Sequence, residues 1–252
     1  MMNRYWRVAG TGFCFALFAV GGLLLPVLVF PALRLLARDR EQYVRFSRRT
    51  VRYSFIAFIR IMCMVGVLKY TYSGLERLQR RGLLIVSNHP TLIDTIFLVA
   101  AIDCADCIVK EALWLNPFTR GPVRAANYIR NDRDIEVVNN CILSLQRGDN
   151  LIIFPEGTRT PPDGVVRLKR GAANVAIRGR KNVTPVTIRC TPTTLGKHTR
   201  WWEIPERSVH FHIAVHEDID IVQFKDAYPD TTLSVRRLNH YMQDYFNQGR
   251  FV

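Results

Sequence analysis

The residues best placed to do chemistry are His89 and Asp94, in the stretch Ser87-Asn88-His89-Pro90-Thr91-Leu92-Ile93-Asp94. A carboxylate on one imidazole nitrogen fixes the tautomer and leaves the other nitrogen as a base. It also stabilises the imidazolium formed once a proton is taken. Residues five apart do not share a helix face, so the pair meets only if His89 stands just before a helix and Asp94 lies near its first turn. The flanking sequence predicts that arrangement. The apolar run Leu83-Leu84-Ile85-Val86 reads as a buried strand and residues 92–102 as a helix. His89 then falls at a strand-to-helix turn, where α/β sheets present their chemistry. Pro90 suits the first helical position, with Asn88 or His89 as the cap. The helix N-terminus disfavours positive charge on the ring and so opposes the carboxylate. That balance keeps His89 neutral at rest yet able to accept a proton. The plainer alternative is a capping histidine with an aspartate in the first helical turn.

A second polar turn follows another apolar run, Leu151-Ile152-Ile153-Phe154, and reads Pro155-Glu156-Gly157-Thr158-Arg159-Thr160. Taken together, Asn88-His89-(four residues)-Asp94 and Phe154-Pro155-Glu156-Gly157-Thr158-Arg159 resemble the glycerolipid acyltransferase family. Its lysophosphatidic-acid acyltransferases carry an Asn-His-x-x-x-x-Asp block and a Phe-Pro-Glu-Gly-Thr-Arg-Ser block, and Thr160 stands here in place of the Ser. The resemblance implies transfer of a fatty acyl group to the free hydroxyl of a lysophospholipid, with 1-acylglycerol 3-phosphate the first candidate acceptor. The thioester of coenzyme A or of an acyl-carrier protein is then the donor substrate, and no cofactor or metal is called for. It makes His89 the base and Asp94 its partner, and gives acceptor binding to Glu156, Gly157, Thr158 and Arg159. The chemistry of those residues agrees: a glycine lets backbone approach closely, and Thr and Arg donate to phosphate. A structural turn closed by a Glu156–Arg159 ion pair is the alternative. A thioester is already activated, so no residue need be acylated, and no Gly-x-Ser-x-Gly occurs. The family's middle block, Gly-x-x-Phe-Ile-Asp-Arg, is altered here to Ala126-Asn127-Tyr128-Ile129-Arg130. Arg130 or Arg133 is the candidate for its phosphate-binding arginine, and the departure leaves room for another lipid or specialised-metabolite acceptor.

The elements that must position these residues read as an α/β fold, a mostly parallel or mixed sheet flanked by helices. Strands are expected at residues 70–72, 107–109, 127–129, 183–190 and 208–216, besides the two before the motifs. Helices are expected at 134–146, 169–180 and 233–246. Pro185 limits its strand to a sheet edge or to the strand's start. His210 and His212 share one strand face, either a metal pair or an exposed histidine face on an edge strand.

The 252 residues carry a net charge of +14, which favours anionic partners. No zinc-finger or RNA-binding signature is present, so nucleic acid is not expected. The six cysteines are scattered and Cys104-x-x-Cys107 stands alone, as free thiols in a reducing compartment do. No charge falls between Arg7 and Arg34, a segment long enough to span a bilayer or to turn back as a re-entrant hairpin. Arg34, Arg38, Arg40, Arg45, Arg48, Arg49 and Arg52 crowd its far side, which puts the rest of the chain in the cytosol. Residues 53–68 are apolar apart from Arg60 and read as an interfacial helix or a core helix. The expected division is a membrane anchor over 1–68 and an acyltransferase domain over 69–252, on the cytoplasmic face of a cell inner membrane, with membrane lipid as a partner. Arg167, Lys169, Arg170, Arg178, Arg180 and Lys181 are a basic cluster for headgroups or the donor, or a solvated helix face, and Trp201-Trp202 suits a membrane interface or a core. A reading from another class is a non-catalytic membrane protein that binds anionic lipid through its basic face.

Overall fold

Leu84 and Val86 are fully buried on one face of a strand, and Ile85 is fully buried on the other. A strand covered on both faces needs an unbroken apolar run rather than alternation, and Leu84-Ile85-Val86 supplies it. In the computed structural model, which describes residues 4–131, 134–226 and 231–248, this strand is the middle one of a seven-stranded sheet.

The chain opens with helix α1 (Arg4–Leu24), a π-helical turn (Leu25–Val29), α2 (Phe30–Leu36) and α3 (Arg40–Met64). There follow β1 (Leu68–Ser73), β2 (Leu84–Ser87), α4 (Asp94–Ala101), β3 (Ala105–Lys110), α5 (Glu111–Leu115), α6 (Arg120–Ala125), β4 (Ile129–Asn131) and α7 (Asp134–Gln146). Then come β5 (Asn150–Ile153), α8 (Gly171–Gly179), β6 (Val183–Thr191), β7 (Val209–Val215), α9 (Val222–Asp226) and α10 (Thr231–Gln248). The strand order is β1-β7-β6-β2-β5-β3-β4. Among the described strand pairs β6–β7 is antiparallel and the others are parallel. Helices α3 and α4 cover one face around Phe97, Ile85 and Phe211, and α7, α8 and α10 cover the other around Leu84, Leu238 and Met242. The mixed, helix-flanked sheet is the fold expected from the sequence.

The functional consequence lies in β2 and β5. They are adjacent and parallel, with Val86 beside Ile153, so the two motif turns leave the sheet side by side at its carboxyl edge.

Three details differ from expectation. Pro185 sits in β6, which has β7 and β2 on its two sides. Its carbonyl accepts from the His216 N–H just past the end of β7 (3.0 Å), so the missing N–H falls where that ladder stops. His210 and His212 lie on β7, an interior strand rather than an edge. Their rings are 3.9 Å apart and Thr71 bonds His210, and among the described residues no third metal-ligating group joins them. The segment 53–68 is no separate helix. Residues 53–64 continue α3, which begins at an Asp39 cap accepting from the Gln42 N–H (2.7 Å) and buries Val51, Ile59 and Met62, with Arg60 on the exposed side, and Leu68 already belongs to β1.

One arginine of the basic cluster beyond α1 is not available to a membrane. Arg48 is 3% exposed and is bound by Asp106 (2.9 Å), Asp149 (3.1 Å) and the Ala126 carbonyl (2.9 Å). Burial and the Arg48 charge act oppositely on Asp106, and burial prevails, raising its carboxyl. The guanidinium thereby ties α3 to the start of β3 and to the turn before β5.

The apolar segment Arg4–Leu36 is long and apolar enough to cross a membrane by length and composition. Yet it lies along the sheet domain rather than projecting from it. Gly10 stands against Val65 and Val67, Gly22 against the Phe118 carbonyl, and Pro26 against Gly121. A Cβ on Gly22 would come 1.9 Å from that carbonyl oxygen, so only glycine permits the approach. Pro26 cannot donate to the helical ladder. The ladder widens there, and the Phe30 N–H reaches back to the Leu25 carbonyl. The opposite side of the segment exposes Tyr5, Trp6, Phe13, Val20, Leu24, Val27, Leu28 and Leu35.

Candidate active site

Helix α4 starts at Asp94, not at Pro90, and its cap position is Ile93. Residues 88–93 form an extended turn, because their polar groups are used elsewhere. The Asn88 side chain accepts from the Ile188 N–H and donates to the Ile188 carbonyl (both 2.8 Å). It pins the turn to β6 instead of capping a helix. Asp94 is fully buried, and its carboxylate folds back over the turn. It accepts from His89 Nδ1 (2.8 Å), the Thr91 N–H (2.7 Å) and the Thr91 hydroxyl. Thr91 thus donates twice, from its backbone and its hydroxyl, to a carboxylate three residues on, and so clamps the turn ahead of the helix. Burial pushes the Asp94 carboxyl up from the usual carboxylate range, and the donors from His89 and Thr91 pull against it. With Oδ2 already accepting from the Thr91 N–H, an ionised Asp94 takes its second bond from a proton on His89 Nδ1. Nε2 is then the basic nitrogen.

The second motif closes over the first. Glu156 Oε1 accepts from the His89 backbone N–H (3.0 Å) and the Thr160 hydroxyl (2.8 Å), and the Thr160 N–H donates to the His89 carbonyl (2.7 Å). Glu156 is 5% exposed, and Oε2 is buried with no partner among the described residues. Burial raises its carboxyl, against the pull of Thr160 and the His89 N–H. Phe154 stacks on the His89 ring, centroids 4.4 Å apart. Gly157 takes φ of +65°, which lets Lys169 pass over it, with Nζ 3.3 Å from where a Cβ would stand.

A cavity of about 1100 Å³ joins these groups to an apolar interior. His89, Phe154, Gly157, Thr158, Arg159 and Lys169 line it at the motif turns, and Phe15, Phe18, Phe55, Phe58 and Met62 line it from α1 and α3. The sequence candidates thus separate. His89, Asp94 and Glu156 form one bonded cluster, and Gly157 and Thr158 lie on the cavity wall. Arg159 also lies on the wall, but its Nη1 donates to the Leu195 and Gly196 carbonyls (2.9 and 2.7 Å), not to Glu156. Arg130 lies outside the lining residues and pairs with Glu111. Arg133 falls outside the described residues. Lys110, at the end of β3, lines the cavity and carried no signal in the sequence, whereas Lys169, Arg170 and Arg178, which also line it, are members of the basic cluster read there. The Thr91-x-x-Asp94 spacing was the readable sign of the clamp. The basic run around Lys169 was readable, but not which of its members faces inward.

An acyltransferase family model matches residues 69–189. A 1-acyl-sn-glycerol-3-phosphate acyltransferase of Pseudomonas aeruginosa is 26% identical over 129 residues, covering 49% of this chain and 50% of that protein. One from Borreliella burgdorferi is 25% identical over 196 residues, 74% of this chain and 77% of that one. One from Limnanthes alba is 27% identical over 136 residues, 51% and 46%. The chain spans about half the length of the Pseudomonas and Limnanthes relatives. The crystal structure of the 1-acyl-sn-glycerophosphate (LPA) acyltransferase PlsC from Thermotoga maritima has the same fold, with a TM-score of 0.74 over the whole of both chains at 18% identity. Both motif turns, clasped at the carboxyl edge of β2 and β5, lie inside residues 69–189, the stretch of this chain that matches the acyltransferase family model.

Proposed function

We propose that the protein transfers a fatty acyl group from a thioester to the free hydroxyl of a lysophospholipid, with 1-acylglycerol 3-phosphate as first candidate and phosphatidic acid as product. The observation that carries this reading is the Asp94-held imidazole of His89 on the wall of a cavity that continues into an apolar interior. His89 Nε2 takes the proton of the acceptor hydroxyl as its oxygen attacks the thioester carbonyl. The tetrahedral intermediate collapses, the carbon–sulfur bond breaks, and the imidazolium returns the proton to the leaving thiolate. Asp94 stabilises the imidazolium between those steps. General-base catalysis of this kind contributes about 10²–10⁴-fold.

Glu156 acts on this reading as a positioning residue, through the His89 backbone. Thr158 and the lysines at 110 and 169 supply donors for an acceptor phosphate, with Arg159 fixed beside them. The donor is an acyl-coenzyme A or acyl-carrier-protein thioester, bound as substrate with no cofactor. A different lipid acceptor is favoured by one observation, the pairing of Arg130 with Glu111 outside the cavity wall. The exposed apolar side of Arg4–Leu36, flush with the domain, supports seating in one leaflet rather than a free span. The exposed arginines beyond α1 support the cytoplasmic face of the inner membrane.

The test is transfer of labelled acyl groups by purified protein in detergent, with both donors and a panel of lysolipids, beside His89→Ala. Diacyl product from the wild type and none from the variant is expected. No product with any pairing of donor and acceptor would overturn the reading.

A further inference from the structure

Strands β6 and β7 are antiparallel neighbours, yet residues 192–208 lie between them, far more chain than a hairpin needs. Long connections of this kind are usually functional. Its base is bound into the active site: the Leu195 carbonyl accepts from the Leu92 N–H (3.1 Å), and Arg159 donates to the Leu195 and Gly196 carbonyls. The tip is a tight turn. The Glu203 carboxylate accepts from the Arg200 N–H (3.0 Å), and the Glu203 N–H returns a bond to the Arg200 carbonyl.

That turn presents Trp201 and Trp202, which are 43% and 46% exposed. Two exposed tryptophans side by side are costly in water unless something covers them. They are held in place, edge to face at 5.5 Å, with the Arg200 guanidinium 5.4 Å above the Trp202 ring. Trp201 also rests on α1, 3.3 Å from where a Cβ of Gly12 would stand and 6.0 Å from the Phe15 ring. The Arg7 guanidinium donates to the Glu206 carbonyl from the same helix. The tryptophan pair is thereby fixed against the same helix that exposes Trp6 and Phe13.

We propose that the 192–208 loop is a second membrane-contact element, seating Trp201 and Trp202 in the headgroup layer of a phospholipid bilayer. This rests on the membrane-seated reading given above. Three observations select that occupant. Tryptophan, with an apolar body and one N–H, concentrates at the membrane–water boundary. Arg200 is exposed over the Trp202 ring, and its guanidinium is suited to lipid phosphate. Trp201 packs on the flank of α1, the helix whose outer side exposes Trp6 and Phe13. Because the loop's base also holds Arg159 and the turn after His89, the seated tip sets the cavity's height at the bilayer.

The test uses the full chain reconstituted in phospholipid vesicles. The chain has four tryptophans, so Trp6→Phe with Trp114→Phe leaves Trp201 and Trp202 as reporters. Bilayers contain phosphatidylcholine brominated either near the headgroup or near the chain end. The expected result is a larger loss of emission with the shallow label, together with protection from aqueous acrylamide. No quenching by either lipid with full acrylamide access overturns the proposal, as does stronger quenching by the deep label. Acrylamide protection without lipid quenching also overturns it, pointing to a protein partner. A second variant, Trp114→Phe with Trp201→Phe and Trp202→Phe, reports from Trp6 on α1. Quenching there but not at the loop rejects the loop contact alone. Quenching at neither rejects the membrane-seated reading itself.

Discussion

The sharpest test of the proposed chemistry is Asp94→Asn, since the environment of Asp94 dictates how an amide must sit. The Thr91 N–H can only donate, so the amide oxygen takes the place of Oδ2, between that N–H and His89 Nδ1. The amide nitrogen then faces the Thr91 hydroxyl, which can rotate to accept. The tautomer of His89 is retained, and the variant removes chiefly the charge that stabilises the imidazolium. With Nδ1 and Oδ2 2.8 Å apart, the charge centres are about 4 Å apart, worth about 4 kcal/mol at an effective dielectric of about 20. The amide dipole retains part of this, so a fall in kcat of about two to three orders of magnitude is expected, with KM for the acceptor little changed. The assay is single-turnover acyl transfer by wild type, Asp94→Asn, His89→Ala and the double variant. Without an imidazole there is no imidazolium to stabilise, so Asp94→Asn should add almost nothing in the His89→Ala background. A kcat loss of less than about tenfold in the single variant, or losses that multiply in the double, would refute the reasoning.

Arg48→Met should destabilise the fold by about 3–5 kcal/mol, because it leaves Asp106 buried without its cation; a denaturation midpoint close to wild type would contradict this. Gly22→Ala should lower the melting temperature and loosen α1 from the segment at Phe118, at a cost of about 1–3 kcal/mol for overpacking, checked by thermal melts and by proteolysis near residue 118. Asp218 accepts from both terminal nitrogens of Arg80 (2.7 and 2.9 Å) and from Thr184, and the Arg80 bonds hold its carboxyl below the usual range. A depressed carboxylate contributes stability above its unfolded pKa of about 3.9 and loses it as pH falls through the lower folded value. Arg80→Gln should therefore move the acid-unfolding midpoint to higher pH, and an unchanged midpoint would argue against that linkage.

What the sequence revealed, and what it did not, divides by the distance over which a residue acts. His89 and Asp94 could be paired because both lie in one turn, and the helix at Asp134–Gln146 could be read from its own periodicity. The start of α4 was misplaced because Pro90 and Asn88 carry local cap signals, whereas Asn88 is taken up by Ile188, a hundred residues on. Glu156 and Arg159 look like acceptor ligands in a one-dimensional motif. Their actual partners, the His89 backbone and the carbonyls of the β6–β7 connection, become neighbours only through the pairing of β2 with β5 and β6. Arg48 reads as one more basic residue in a run, and nothing in its neighbours tells that two aspartates from other elements enclose it.

The π-helical turn at Leu25–Val29 also sets how the N-terminal segment can change length. It lodges one residue more than an α-helix would hold there, and each α-helical residue advances the helix by about 100°. Deleting one residue within it would let the ladder close as a plain α-helix with α2 facing as it does now, whereas closing the ladder with every residue kept would swing α2 by that angle. In that second case Phe30, now 4% exposed, would rotate away from the domain, and Leu35 and Leu36 would leave the apolar side. The turn works as a phase adjuster: it keeps one continuous side outward along Arg4–Leu36 while Pro26 keeps its contact with Gly121.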